Sequence, residues 1–497
     1  MISIDGNKTF AQLAVEGKDG KYSFLEKETE PISEYMLKQL GIDIAKLKDT
    51  EKNLLLKNFV HLMCNVLSDI KLVNNRLIQY QEKYDKCKNN KSNVAEYYRR
   101  KIEHFCKINK EALTEIMDFL QNRIGNYIME NRFDTLAREE NGENLSTFFL
   151  KRRYKIAQFP EYFDLDYNYA TIVKVNYLPD IDFMDKMNVE KEFLSLYQTD
   201  KEQYYQKLHK EVDDKKIMDW NLARVENNYH LNKRTEIFQD LAQLFYNKHY
   251  QSFLSLGLLQ LEGLFYDICQ IKYGIKDNMG TLVEKVQKSL STRNEFSFMR
   301  FYPYFAFDVP IQRNEIAHKG MMEEVDLEKA AYDLVLDLNA VLTMVKEESY
   351  DKFIVLIMIH EKLAELESED PDSDAFKSYV NRTFITELIK NSIIANEYFW
   401  SVLKNPDDYK EELDFYEPEQ LKDGYIDLKG IVAVLSTMIR EKAFWREMIN
   451  ILNEYKASDG SIPKQLYGIA KRLKNDYIAV LTDEAKNYCI EVAKLLK

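Results

Sequence analysis

The stretch 251–273 constrains this 497-residue chain more than any other. Phe253, Leu256, Leu259, Leu261, Leu264, Phe265 and Ile268 leave hardly any polar face along it. Such a run is too long for an ordinary strand, and a helix apolar nearly all round has to be enclosed by other elements. It predicts the central helix of a bundle, with Gly274 placed to end it. Its neighbours keep the helical period. Ile237, Leu241, Leu244 and Phe245 share one face of 233–248, and Thr281-Leu282-Val283-Glu284 is a capping box that opens another helix. Asp326 starts a last long helix, where Leu327, Ala331, Leu334, Leu338, Val341 and Val345 form one seam at alternating four- and three-residue spacing. Residues 205–350 are therefore expected to form one helical domain.

The same period recurs on both sides. Within 1–132, a small β-hairpin is expected at 10–26, around Gly17-Lys18-Asp19-Gly20. After it, Leu54, Leu56, Phe59, Leu62, Met63 and Leu67 run on through Ile70, Leu77 and Ile78. A Lys/Asn-rich break at 86–93 precedes a second stripe, Ile108, Leu113, Ile116, Phe119 and Leu120, so the two helices read as an antiparallel hairpin. Residues 133–204 are a mixed connecting region; its β-branched run 169–177, bounded by Pro179, reads as a strand. In 351–497 the acidic linker 368–374 leads to further helices marked by Phe384, Leu388, Ile393 and Trp400, then by Ile431, Val434, Leu435 and Met438. Ser461-Ile462-Pro463 breaks before a final helical pair. The expected fold class is predominantly all-α, a bundle flanked by a long helical hairpin and a C-terminal helical region, with a minor β element near the N-terminus.

Charge and composition narrow the function. With 69 Lys+Arg against 82 Asp+Glu, the net charge of −13 excludes coating long nucleic acid through the overall field, while a local basic site remains open. The five cysteines are scattered, without the pairing of a zinc site or a disulfide framework, which fits a reducing cytoplasm. No signal pattern opens the chain, and the most apolar run, 353–359, is too short to span a bilayer. A soluble, cytoplasmic protein without a membrane partner is expected. Neither a Gly-rich phosphate loop nor a His-Glu-x2-His motif occurs, so ATP use and zinc hydrolysis have no support, and neither a metal nor another cofactor is expected.

Arg and His recur five or six positions apart at Arg99/His104, Arg224/His230 and Arg313/His318. The first pair lies in a charged helical run that reads as a solvated face, so His104→Ala is expected to change nothing. The second lacks a polar neighbour and falls in a connection. The third, Gln312-Arg313-Asn314-Glu315-Ile316-Ala317-His318-Lys319-Gly320, follows an aromatic connection at 301–307 that reads as core and hinge. Asp308 is expected to cap a short helix carrying the motif, and Gly320 to close it. Histidine titrates near neutrality and suits proton transfer, while arginine stays charged and matches a phosphate. Asn314 and His318, at i and i+4, share a helix face.

Arg-Asn-x3-His resembles the Arg-polar-x3–5-His signature of the HEPN superfamily. The order helix, helix, short helix, motif, long helix and the phrase Leu259-Gln260-Leu261-Glu262-Gly263-Leu264 are similar to that family over about 205–350. The resemblance implies a helical domain of a kind often found as a metal-independent ribonuclease in toxin–antitoxin, abortive-infection and CRISPR-linked defence, and elsewhere as an inert or regulatory module. Arg313, Asn314 and His318 would be catalytic, with two copies meeting across the interface of a homodimer or higher oligomer. The expected partners are an RNA substrate and a regulatory protein or trigger ligand. A helical interaction protein with a purely structural motif is the other alternative. Glu262 reads either as a partner orienting Arg313 or His318 or as an ordinary salt bridge on a polar helix edge. Lys319 and the basic cluster Lys151, Arg152, Arg153 and Tyr154 read either as RNA contacts, with Tyr154 stacking on a base, or as a solvated loop.

Overall fold

The computed structural model describes residues 48–124, 127, 153–179, 181, 183–273, 280–291, 295–311, 326–367, 370–390, 397–415, 427–459 and 462–496. Among them the chain is predominantly helical and no strand occurs. The expected hairpin at 10–26 lies outside the described residues, as do Gly274 and Gly320. Five helices carry the features that follow: α1 Asp49–Cys87, α2 Asn93–Asp118, α3 Tyr250–Tyr273, α4 Glu295–Pro303 and α5 Leu327–Ala364. The chain divides into two compact units, Met1–Tyr169 with Phe296–Asn314, and Ala170–Glu295 with Glu315–Lys497.

The first unit is built on the expected α1/α2 hairpin. The break at 88–92 ends where the Ser92 hydroxyl accepts from Ala95 N, an N-cap that starts α2. Arg99 reaches back to donate to the Cys87 carbonyl at 3.0 Å, one of the carbonyls a helix end leaves free. Leu62, Met63, Val66, Ile70 and Val73 of α1 are buried, as are Ala95, Ile102, Phe105, Ala112 and Ile116 of α2. The buried side of α2 is therefore rotated from the expected stripe, with Ile108 and Leu113 at its half-buried edge. Segment 160–165 is tied to the hairpin through backbone groups. Arg76 donates to the Pro160 carbonyl at 2.7 Å, buried Asn109 to the Phe163 carbonyl at 2.8 Å, and Leu165 N to the Tyr80 hydroxyl at 2.9 Å.

In the second unit α3 runs against α5. Gly257 makes the close approach possible, since a Cβ there would meet the Leu334 side chain at 2.7 Å. α5 starts at Asp326 as expected, the carboxylate accepting from Lys329 N at 3.2 Å. Its burial exceeds one seam: Leu334, Val335, Leu336, Leu338, Ala340, Val341, Leu342, Met344 and Val345 are all buried. Buried side-chain amides donate to backbone carbonyls here. Asn339 donates to the Tyr177 carbonyl at 2.9 Å, and Asn221 to the Val335 carbonyl at 2.9 Å. α5 continues past residue 350, and its Phe353, Leu356 and Ile359 join a second core around Trp400 and Trp445. That core is closed by Tyr477, whose hydroxyl donates to the Trp400 carbonyl at 2.6 Å. The break at 461–463 falls before helices Lys464–Tyr477 and Asp483–Leu495, as its proline predicts.

Two expectations are corrected. The run 169–177 is not a strand but a helix, Tyr169–Asn176. Thr171, Ile172, Val173, Lys174 and Val175 are buried on all sides, and complete burial overrides the mild β preference of branched residues. Thr171 bonds the Tyr204 hydroxyl at 2.9 Å and Lys174 pairs with Asp333 at 3.3 Å, so the helix suits its polar members too. The aromatic connection 301–307 is also helical. α4 passes into a π-helical turn, Tyr304–Asp308, and Phe301, Tyr302, Tyr304, Phe305 and Phe307 are core, as expected for part of its role.

Candidate functional site

Arg313, Asn314, His318 and Lys319 lie outside the described residues, and the two flanks of the motif are what the structure defines. On the upstream side, helical chain runs through α4 and the π turn to residue 311. Asp308 does not begin a helix there. It ends the π turn inside a continuous helical run, and both carboxylate oxygens accept from Lys101 of α2, at 2.8 and 3.0 Å. Three residues further along α2, His104 packs its ring on Tyr302 at 5.1 Å and on Phe307 at 5.5 Å. Burial among these rings, with Lys107 adding to the effect, pushes the His104 pKa down to about 4. The reading of His104 as part of a solvated face is therefore wrong: the imidazole is neutral packing material.

The downstream flank belongs to the second unit. Past the Asp326 cap, Glu328 accepts from the Tyr250 hydroxyl at 3.1 Å, and Tyr332 donates to Asp213 at 3.1 Å. His209 stacks face to face on Tyr332, with centroids 3.9 Å apart. Burial lowers its pKa while Glu328, Asp333, Asp213 and Asp326 pull the other way.

Glu262 accepts from Lys285 at 2.7 Å. Its neighbours in the Leu259–Leu264 phrase hold a different carboxylate. Asp267, one further turn along α3, is 1% exposed and accepts from Arg234 Nε at 2.7 Å, while Arg234 also donates to Gln260 Oε1 at 2.8 Å. The guanidinium lies over Gly263, where a Cβ would come within 2.9 Å of its nitrogens. Glycine and glutamine in this phrase thus make a seat for an arginine that neutralises a buried charge. The cost of an unpaired carboxylate in an apolar helix applies more strongly to Asp267 than to Glu262. That signal is present in the sequence, but the partner Arg234 is distant along the chain.

The basic cluster divides. Lys151 and Arg152 lie outside the described residues. Burial raises the Asp69 carboxyl above its ordinary range, and the half-buried Arg153 beside it only partly opposes that. Tyr154 is buried, donates to Asp69 at 2.6 Å and sets its ring edge-on to Phe119 at 5.4 Å. For Tyr154 neither alternative, stacking on a base or a solvated loop, describes the buried ring: an aromatic beside basic residues is core here because its hydroxyl finds a partly buried carboxylate.

The two competing Arg/His pairs have structural partners. Arg99 caps α1, as described. Arg224 bonds the Asn339 side-chain oxygen in helix Ile217–Glu226, and His230 Nε2 meets buried Glu412 at 2.9 Å. Among the described residues no group of three or more His, Cys, Asp or Glu is set to hold a metal ion, and no helix is long and apolar enough to cross a membrane. No family model, curated protein or solved structure matches the chain.

Proposed function

We propose that the chain is a metal-independent endoribonuclease of HEPN type, acting in defence or as a toxin, with Arg313, Asn314 and His318 as its catalytic residues. The observation that carries this reading is Arg-Asn-x3-His itself, after the chain's two other Arg/His pairs are accounted for by packing, caps and ion pairs. The all-α frame supports it.

RNA is cut without a metal when a base removes the 2′ proton and fixed cations hold the charge that builds on phosphorus. The 2′ oxygen bonds to phosphorus while the bond to the 5′ oxygen breaks, leaving a 2′,3′-cyclic phosphate and a 5′-hydroxyl. His318 takes the 2′ proton, and the histidine of a second copy gives one to the departing 5′ oxygen. Arg313, with Asn314, holds the non-bridging oxygens and supplies positive charge of the kind that Mg²⁺ brings in carboxylate nucleases. Were Arg313 and His318 both helical, they would point about 140° apart in one copy, and two facing copies would complete the cleft.

The experiment is RNA cleavage by wild type, Arg313→Ala and His318→Ala in excess EDTA, with end-group analysis. Each variant is expected to lose at least about a hundredfold in rate while keeping its helical circular dichroism. Activity lost on chelation, or fragments ending in a 3′-hydroxyl, would place the protein in another nuclease class. No cleavage by any of the three would leave the motif structural.

A further inference from the structure

The turn that joins α1 to α2 is basic in an acidic chain. Over residues 86–100, Lys86, Lys88, Lys91, Arg99 and Arg100 stand against a single carboxylate, Glu96, while the whole chain carries −13. A basic loop by itself is ordinarily a solvated one; the structure adds how this charge is held. Arg99 donates to the Cys87 carbonyl at 3.0 Å and also to the Asn90 carbonyl, which ties the end of α1 to the turn. Asn90 N donates to the Cys87 carbonyl at 3.1 Å, and Ser92 N to the Asn90 side-chain oxygen at 3.0 Å. The turn is thus closed by its own hydrogen bonds. Arg99 covers a carbonyl at the negative end of α1, while the first-turn N–H groups of α2 bring a positive helix end to the same tip. Lys86, Lys88 and Lys91 are all exposed. Lys86 and Lys91 have no carboxylate partner among the described residues. Lys88 pairs with Asp85 at 3.3 Å, both half exposed, and such a surface pair is worth little and yields easily to another anion.

We propose that this tip binds the phosphate backbone of RNA, with Lys86, Lys88 and Lys91 as the contacts and Arg99 as the group that holds the turn in place. The choice of RNA among polyanions rests on the ribonuclease reading above. The tip is a binding surface and takes no part in the chemistry. Contacts from lysines to phosphates carry no base information, so binding here is tolerant of sequence. A turn already closed by hydrogen bonds needs little ordering when it binds. Beside the lysines it carries Asn89, Asn90 and Ser92, side chains of the kind that contact phosphate oxygens; a lipid surface calls instead for apolar neighbours. The acidic balance of the chain opposes this only weakly, because carboxylates farther than about 8 Å from the tip are screened at physiological salt.

The test measures binding of the full-length chain to a fluorescent 2′-O-methyl oligouridine, which has no 2′-hydroxyl to attack and stays intact. Anisotropy is read between about 50 and 200 mM salt. Replacing Lys86, Lys88 and Lys91 together by Ala is expected to raise Kd at least about tenfold at the low-salt end. The slope of log K against log salt should become shallower by about 2, at roughly 0.7 for each lost contact to a single strand. The three exposed positions should tolerate the change, with thermal unfolding as in wild type. Replacing the same three by Arg keeps the charge and should keep the binding. Lys362→Ala, Lys442→Ala and Lys486→Ala together remove three half-exposed charges elsewhere and should match wild type within about twofold. A wild type that does not bind the probe would overturn the proposal, as would unchanged binding in the first triple variant. Equal weakening in the control triple would overturn it too, since overall charge would then be the cause. So would capture of phosphatidylserine vesicles that depends on these lysines while RNA binding does not. A wild type that binds through the tip yet cuts no RNA keeps this inference and sinks the ribonuclease reading; one that cuts RNA while the triple variant binds normally sinks only this inference.

Discussion

Two side chains show how much one residue decides here. His104 has a folded pKa near 4, below the ordinary histidine value of about 6.5, because its ring is buried against Tyr302 and Phe307. The unfolded chain therefore binds the extra proton first, and stability falls as pH drops from about 6.5 toward 4. Between pH 7 and 5 this one group should cost about 2 kcal/mol. Thermal unfolding of wild type and His104→Leu at both pH values measures it: the variant should lose less on acidification, and equal losses would show the imidazole to be solvated after all. Arg234 makes the complementary case. Removing its guanidinium leaves Asp267 buried with Lys233 at 3.5 Å as its remaining described cation. Arg234→Ala should destabilise by about 3 kcal/mol, and replacing Asp267 by Asn in the same chain should recover part of the loss. A denaturant midpoint for Arg234→Ala equal to wild type would mean that the carboxylate is neutral or solvated.

At the scale of elements, termini are easier to read than faces. The capping box closes as expected, with Thr281 N donating to Glu284 at 2.7 Å and Glu284 N to the Thr281 hydroxyl at 3.4 Å. Asp326 caps α5, its carboxyl held below the usual carboxylate range first by the backbone bond from Lys329. Asp326→Ala should cost about 1 kcal/mol and Asp326→Asn much less, read from chemical denaturation; equal losses in the two would mean that charge, not the cap bond, is what counts. Caps are legible because a few adjacent residues satisfy local backbone groups. The helix Tyr169–Asn176 and the helical 301–308 are not, since their branched and aromatic residues favour strand or loop until neighbours enclose them. Even α2, whose place along the chain is as expected, differs in rotation: Phe105 and Asn109 are its buried centre, because Asn109 serves the Phe163 carbonyl.

For the whole molecule, the ribonuclease proposal requires two copies. Arg313 and His318 five apart in one chain imply that activity tracks a dimer, so specific activity should fall on dilution in step with the dimer fraction. Sedimentation or light scattering across the same concentrations supplies that comparison. Full activity in a strictly monomeric sample would exclude the shared cleft. On the same proposal, RNA held through Arg313 and its copy should bind more weakly as salt is added. At this scale 296–314 groups with the N-terminal hairpin, and α5 extends into the C-terminal core.

The sequence by itself determined the all-α class, the helices at 250–273 and 327 onward, the caps at Thr281 and Asp326, and the breaks near 90 and 462, because each depends on residues within a turn or two. It also carries the Arg313/His318 spacing on which the functional proposal stands. Only the tertiary structure decided that Tyr154 is core, that His104 is a neutral packing group, that Gln260 and Gly263 seat Arg234 over Asp267, and that Lys101 holds Asp308. These are pairings between residues far apart in the chain. Their energy comes from excluding water around charges and rings, and no local pattern specifies which distant partner will do so.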